Sequence, residues 1–489
     1  MKTTNSLRVV IQNMCSLALA DIGNKVLLFL FFLISARYLG PKDFGIFSLA
    51  MAITNILVVI TDFGTSSLGT REGARDYNII SKYISNIIFL KIFFCIIVLI
   101  SGWFIINKLG YTPDKIQAVA MLFPSVVFLT FVQTFNVVFQ ATEKMFFIPL
   151  GKLIDGIILI GGIFLLIYFK SSTIGFIILY TIAALMVFIY SFLIVWNKFT
   201  HFTIVCEKGL LKEIIKETMP FAIGIILSTF YYWNSSALLS LWRNDTETGL
   251  FTASLRLVLG TTFIPSAFVG SIYPILSRTF VTAKEKMEYI LEKALKYMII
   301  FAIPLCFFTQ FCAQKIIHFF YGVTYLPSAH LLEILIWWAG IIYLNAVFAH
   351  FFYSINKQSV IAIQTFLAVI VNVSLNLLLI RKIGARGACF SLVVAEFLSL
   401  VYLLINVIKM NPSYKNLIKS SIVTMLKSLL AFILPAALII LGKNLHLLVL
   451  SFVTLLLYFI SFYFLKGFSK SDMNTARQLW YELKAVIHA

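Results

Sequence analysis

Apolar runs of about twenty residues, the length that crosses ~30 Å of hydrocarbon at helical rise, recur from one end of this chain to the other. They predict about fourteen transmembrane helices, near residues 14–36, 44–65, 84–106, 117–140, 147–169, 174–196, 220–242, 249–276, 297–317, 329–353, 358–380, 387–408, 424–442 and 446–465. A backbone in lipid has to satisfy its own hydrogen bonds, so only helices and closed barrels span. Barrel strands would alternate over ~10 residues, and Phe-Leu-Phe-Phe-Leu-Ile at 29–34 shows no alternation. The expected class is an all-α polytopic membrane protein. Composition agrees, with 61% hydrophobic and 12% charged residues against the ~25% charged of a soluble domain.

The first run carries Asp21 and Lys25 and lacks a small-residue cleavage pattern, so it is expected to stay as a span. The formal charge of +19 is scattered among the spans and forms no basic stripe, which argues against nucleic acid. Lys and Arg concentrate in the loops on the side of the termini. By the positive-inside rule both termini are cytoplasmic. The six cysteines show neither Cys-x-x-Cys nor Cys/His metal spacing and read as small apolar residues. No metal or cofactor is expected.

The two halves resemble each other. GIFSLA at 45–50 matches GLFTAS at 249–254, KSSTIG at 170–175 matches KIGARG at 382–387, and Lys144 matches Lys357, at offsets of about 204 to 213 residues. The repeat divides the chain into an N-terminal six-helix bundle (1–200), an amphipathic cytoplasmic linker (201–219), a C-terminal six-helix bundle (220–410), and two extra transmembrane helices with a cytoplasmic tail (411–489). An even number of spans per half makes the repeat parallel, the architecture of transporters that rock two bundles about a central cleft. In 207–219 and 284–297 apolar residues occupy one helical face and lysines the other, which predicts helices lying flat among headgroups.

An ionisable group at mid-membrane costs about 2.5–3.5 kcal/mol on insertion scales and needs a partner or a wet cavity. Asp21 and Lys25, four apart, either pair with each other or line a cavity. Asp62 lies close to the end of its span and can reach water. Asp155 and Glu396 are deeper, and each can bind a proton or Na⁺ or pair with Arg256. Asp21, Asp155 and Glu396 are thus the candidates for ion coupling. Arg256, in TGLFTASLRLVLGTTF, sits about seven residues inside its run, ~10 Å deep, and cannot shed its charge. Its planar fork suits phosphate or carboxylate. With Thr252, Thr261 and Thr262 it suggests a polar face, and Gly260 and Pro265 suggest a bend. Arg256 either binds a ligand or closes a salt bridge inside the bundle. Asn55, Asn136, Tyr231, Tyr232, Trp233, Asn234 and Asn372 are polar or aromatic groups within spans that could line a cavity.

The stretch SARYLGPKDFGIFSLAMAITNILVVITDFGTSSLGTREGARD (35–76) resembles the first conserved block of bacterial polysaccharide flippases of the Wzx type, with its Arg-x-Leu-Gly-Pro turn, acidic-aromatic-glycine step and Arg-Glu pair. TGLFTASLRLV resembles the block that opens the second half of that family. The resemblance implies a member of the multidrug, oligosaccharidyl-lipid and polysaccharide exporter superfamily. Such a protein moves an undecaprenyl-pyrophosphate-linked oligosaccharide across the bacterial cytoplasmic membrane for O-antigen- or capsule-type polysaccharide. It further implies Arg256 as the residue that meets the anionic carrier, with Arg37, Asp62 and Arg71 at motif positions and Lys25 beside them in the substrate path. Implied partners are the lipid-linked oligosaccharide, membrane lipids and other membrane proteins of polysaccharide assembly, with a proton or Na⁺ as coupling ion. The alternatives are a multidrug exporter of the same fold, which would want an acidic cavity, and a membrane glycosyltransferase or polymerase, which would want a long external loop or an Asp-x-Asp motif. Neither of those last two features occurs.

Overall fold

The computed structural model describes residues 2–76, 80–199, 207–283, 285–411, 414–442, 445–469 and 472, with side chains from Gly23 onward except at Glu285. Helices make up nearly all of it, and no strand occurs among the described residues. In chain order they are α1 (Lys2–Asp62), α2 (Thr65–Arg75), α3 (Ile80–Lys108), α4 (Pro113–Met121), α5 (Phe123–Ala141), α6 (Phe147–Tyr168), α7 (Thr173–Lys198), α8 (Lys208–Trp242), α9 (Asp245–Thr261), α10 (Phe263–Thr282), α11 (Glu285–Tyr321), α12 (Ser328–Ser354), α13 (Gln358–Ile383), α14 (Ala385–Met410), α15 (Tyr414–Ala431), α16 (Ile433–Leu441) and α17 (Leu447–Phe464).

Among the described residues twelve helical stretches are long and apolar enough to cross a membrane, and the protein is a multi-pass membrane protein. The expected fourteen differ from these twelve in two places. The first two expected spans run on within α1, whose apolar part covers 40 residues, about 60 Å at helical rise and twice the hydrocarbon thickness. It divides at Gly40, whose φ of 74° and ψ of 171° are open only to glycine, directly before Pro41. The expected span at 220–242 lies in α8, where Tyr231 to Ser236 interrupt the apolar run. Thr262 separates α9 from α10, which places the bend anticipated at Gly260 and Pro265.

The chain packs as two compact units. Unit 1 comprises Met1–Arg256, Tyr321–Tyr325 and Thr365–Ser391, and unit 2 comprises Leu257–Phe320, Leu326–Gln364 and Leu392–Ala489. In unit 1, Ile84, Phe135, Val138, Phe139 and Val195 join α3, α5 and α7 in one apolar cluster. In unit 2, Leu276, Leu291, Leu295, Phe351, Phe352 and Leu403 join α10, α11, α12 and α14. A second cluster, with Ile300, Phe432, Tyr458 and Phe462, ties α15 to α17 onto α11. Large apolar side chains such as Ile96, Phe104, Ile157, Phe164 and Phe452 stay exposed, as helices facing lipid require.

The amphipathic stretches correct the expectation of flat, headgroup-level helices. Lys208 begins α8 and Glu285 begins α11, so both stretches are the first turns of long continuous helices. Their apolar faces meet protein: Leu211 and Ile214 pack with Leu68, Ile87 and Leu90, and Met287, Leu291, Ala294 and Leu295 enter the unit 2 core. The helical period was right, but a neighbouring helix covers the face in place of lipid. Residues 201–206 of the expected linker, and the tail beyond residue 472, lie outside the described residues. Cys95, Cys306, Cys312 and Cys389 are buried free thiols.

The internal repeat meets itself inside unit 1. A Cβ on Gly45 would lie 1.8 Å from the Asp245 carbonyl oxygen, and a Cβ on Gly249 would lie 1.9 Å from that of Pro41. These are the equivalent first glycines of GIFSLA and GLFTAS, each pressed against backbone. Either Gly45→Ala or Gly249→Ala should lower the melting temperature by several degrees, because backbone and not a flexible side chain has to move; an unchanged melting curve would refute this close approach.

Asp472 anchors the chain beyond α17. Lys293 Nζ and Lys296 Nζ each stand 2.5 Å from one of its oxygens, and Tyr297 donates its hydroxyl at 3.0 Å. Burial opposes its ionisation, but the lysines and the Ser469 amide and hydroxyl overcome this and hold the carboxyl well below the usual range. A depressed carboxyl contributes stability above the unfolded pKa of about 4 and loses it as pH falls towards the folded value. Asp472→Asn should therefore reduce the melting temperature at pH 7, with the gap to the unsubstituted protein closing below about pH 4.

Candidate functional site

Arg256 lies in the last turns of α9. That helix opens with Asp245 and Glu247 in its first turn, where the positive end of the helix dipole favours them. Glu247 accepts the Ala385 amide at 3.0 Å, and Tyr321 donates its hydroxyl to the Ala253 carbonyl at 3.1 Å. Ala253 is one turn before Arg256, so this bond fixes the turn that carries the guanidinium.

The guanidinium carbon of Arg256 stands 3.6 Å from the centroid of the Phe32 ring and 5.5 Å from that of Trp233. Tyr180 and Tyr321 are within electrostatic reach. Among the described residues no carboxylate forms an ion pair with Arg256. The negative π faces of aromatic rings take the place of a counter-ion, and the charge-directed donors of the fork stay available to an anion. Asp155, half-buried on α6, makes no hydrogen bond or ion pair among the described residues. It acts electrostatically on Tyr180, as Arg256 does, so these three residues share one region of unit 1.

Of the threonines expected on a polar face, two donate back to their own chain. Thr252 is buried with its hydroxyl unpartnered among the described residues. Thr261 and Thr262 donate back to Val258 and Leu259. Of the aromatic and amide groups anticipated along the spans, Trp233 reaches Arg256 and Tyr231 is buried. Asn55 bonds back to the Met51 carbonyl at 2.7 Å. Asn234 and Asn372 join Asn376 in a buried amide network, with Asn234 Nδ2 to Asn372 Oδ1 at 2.9 Å and Asn376 Nδ2 to Asn234 Oδ1 at 2.6 Å.

Other predicted residues go elsewhere. Lys25 and Arg37 are exposed on α1, and Asp21 lies outside the residues whose side chains are described. Asp62 does not reach water: it is buried and paired with Lys91 at 2.6 Å. Glu396, in unit 2, is buried and accepts from Asn345 Nδ2 at 2.7 Å and Trp338 Nε1 at 3.3 Å. Arg71 donates to Glu72 at 2.6 Å and also to Glu217; the hydrogen bond to Glu72 leads in raising its pKa against partial desolvation. Lys91 and the buried Lys115–Asp245 pair at 2.7 Å lie outside the candidates named from the sequence. Lys91 had a signal, a lysine inside the third apolar run.

A family model described as polysaccharide biosynthesis protein matches residues 10–280, more than half of the chain. The chain belongs to this family. Within reach of it is the probable low-salt glycan biosynthesis flippase Agl15 of Haloferax volcanii, 21% identical over 379 residues, 76% of this chain and 78% of that protein. Among solved structures, the lipid II flippase MurJ in an inward closed conformation aligns with a TM-score of 0.77 at 17% identity, over 92% of this chain and 98% of that one. An inward-facing multidrug resistance MATE family transporter of the MOP superfamily aligns with a TM-score of 0.64 at 14% identity, over 78% and 94%. At such identities the structures establish a shared fold, and the family membership rests on the sequence match that contains both GIFSLA and Arg256.

If the Phe32 ring stabilises the guanidinium, a double-mutant cycle between Phe32→Leu and Arg256→Met should return a coupling of about 1–2 kcal/mol. Additive effects in that denaturation series would remove the cation–π contact from the account.

Proposed function

We propose that this protein is a flippase that carries an undecaprenyl-pyrophosphate-linked oligosaccharide across the bacterial cytoplasmic membrane by alternating access, with both termini cytoplasmic, and that the product feeds O-antigen- or capsule-type polysaccharide. The observation that carries this reading is Arg256, a permanent cation backed by Phe32 and Trp233 and not neutralised by a described carboxylate. A pyrophosphate loses its hydration on entering a membrane, and a guanidinium fork restores it with charge-assisted, two-pronged hydrogen bonds. The aromatic support keeps that fork oriented without a competing anion. Membership of a polysaccharide biosynthesis family supports the same direction, as do a relative described as a probable glycan biosynthesis flippase and a fold shared with a lipid II flippase. In this reading the site holds the pyrophosphate of a passing lipid and makes no bond to it.

Lys25 and Arg37, exposed on α1, belong in this reading to the path by which the anion approaches, and Asp155 and Glu396 to ion coupling. The fold shared with a multidrug transporter favours a second reading, export of organic cations. The positive charge of Arg256 argues against it, because a cationic wall repels a cationic cargo.

In cells that depend on this protein for surface polysaccharide, Arg256→Ala should abolish the polysaccharide at unchanged protein level. Arg256→Lys should restore part of it, since lysine offers the charge without the fork. Normal polysaccharide from the alanine variant would sink the proposal, and sensitivity to organic cations in its place would select the exporter.

A further inference from the structure

Four helices of unit 1 converge on a buried charge that the substrate site does not use. Lys91, on α3, is 0% exposed. Its ammonium donates to Asp62 Oδ1 at 2.6 Å, to Ser66 Oγ at 3.1 Å and to the Thr130 carbonyl at 3.2 Å. The Ser66 hydroxyl donates to the same carboxylate oxygen. Asp62 is the last residue of α1, and the chain then turns through Phe63 and Gly64, with φ of 47° and 73°, before α2 begins. The turn is held: a Cβ on Gly64 would meet the Ala222 amide at 2.8 Å. The Thr130 side-chain hydroxyl is buried and has no hydrogen-bond partner among the described residues.

Stability alone does not account for this arrangement. A buried ion pair is often matched or bettered by apolar residues of similar volume, and apolar contacts among Leu57, Val58, Val98 and Val126 already join three of these helices, α1, α3 and α5. What the site has is a carboxylate, a hydroxyl and a main-chain carbonyl around one positive charge. That is the donor set of a hard monovalent cation, at a helix interruption of the kind that transporters use for coupling ions. Lys91 fills it as a cation attached to the protein.

We propose that Asp62, Ser66 and the Thr130 carbonyl form an alkali-cation site whose resident is the Lys91 ammonium, and that exchange of the Lys91 proton for one alkali ion couples an ion gradient to transport. Charge sets the stoichiometry. An ammonium and an alkali ion cannot both stay in this enclosure beside one carboxylate, so when the ion binds Asp62, Lys91 remains as a neutral amine and its proton leaves to water. One cation enters as one proton departs. Of the other titratable groups near by, Cys95 on α3 lies within electrostatic reach of Lys91, while Arg71 of α2 bonds both Glu72 of α2 and Glu217 of α8. On α5 the Thr134 hydroxyl donates to the same Thr130 carbonyl at 3.2 Å.

The coupling rests on the transport reading, but the site does not, and thermal unfolding of the purified full chain in NaCl, KCl and choline chloride tests the site alone. In the unsubstituted protein, stabilisation by Na⁺ or K⁺ over choline should grow as pH rises from 7 to 9.5, because binding expels a proton. Lys91→Met should be destabilised in choline and recover at least about 2 °C with the preferred alkali ion at every pH. The Asp62→Leu/Lys91→Leu pair should fold and ignore the choice of cation. Alkali stabilisation that is absent or flat with pH in the unsubstituted protein, together with no cation-specific recovery in Lys91→Met, would overturn the site and leave the pair a structural bridge. In proteoliposomes the double variant should lose the dependence of lipid-linked sugar movement on an alkali gradient while keeping gradient-free exchange. A double variant that still follows the gradient would overturn the coupling without touching Arg256.

Discussion

A charge in the hydrocarbon region is costly unless the protein matches it, and the arrangement of this chain follows from how its buried charges are matched. The backbone is matched by helices. The charges are matched in three different ways. Lys91 meets Asp62 and Lys115 meets Asp245 as direct ion pairs. Glu396 is held by two neutral donors, Asn345 and Trp338. Arg256 rests on ring faces. The three differ in what they leave for a ligand. An ion pair is already satisfied, a carboxylate among hydrogen-bond donors has its oxygens engaged, and an arginine on aromatic rings keeps both charge and donors. An incoming anion therefore has most to gain at Arg256.

The helix interruptions carry the second part of the organisation. Gly40 divides α1, Phe63 and Gly64 separate it from α2, and Thr262 separates α9 from α10. Each falls within or beside an apolar stretch, where a freed carbonyl or amide has no water to bond. At Asp62 the interruption brings a carboxylate to the end of one helix and a hydroxyl, Ser66, into the start of the next. The polar cluster around Lys91 is thus as much a product of the turn as of the side chains.

Much of this was written in local sequence. Apolar run length gave the spans, and the Gly-Pro step in ARYLGP marked where α1 divides. The repeated GIFSLA and GLFTAS pointed to equivalent helices, and the isolation of Arg256 in an apolar run singled it out. What was not legible depends on which faces meet. The partner of Asp62 is 29 residues away on another helix, and nothing local to TDFG distinguishes a carboxylate that reaches water from one that meets Lys91. The amphipathic starts of α8 and α11 show the same limit, since a periodic apolar face looks alike whether protein or lipid covers it. Nor does the sequence show that Thr261 and Thr262 each donate to their own preceding turn.

The contact between Gly45 and Gly249 has a kinetic side. Where helices meet through interdigitated side chains, separating them means drawing each knob out of its hole and letting rotamers reorder. Here the meeting surfaces are main chain on main chain, with the carbonyls of Asp245 and Pro41 filling the space a methyl would take. At this one crossing no rotamer has to change before the backbones slide or part, although Arg256 on Phe32 still ties the same two helices. Two copies of one sequence element have become a seam of backbone against backbone, tight in its fit.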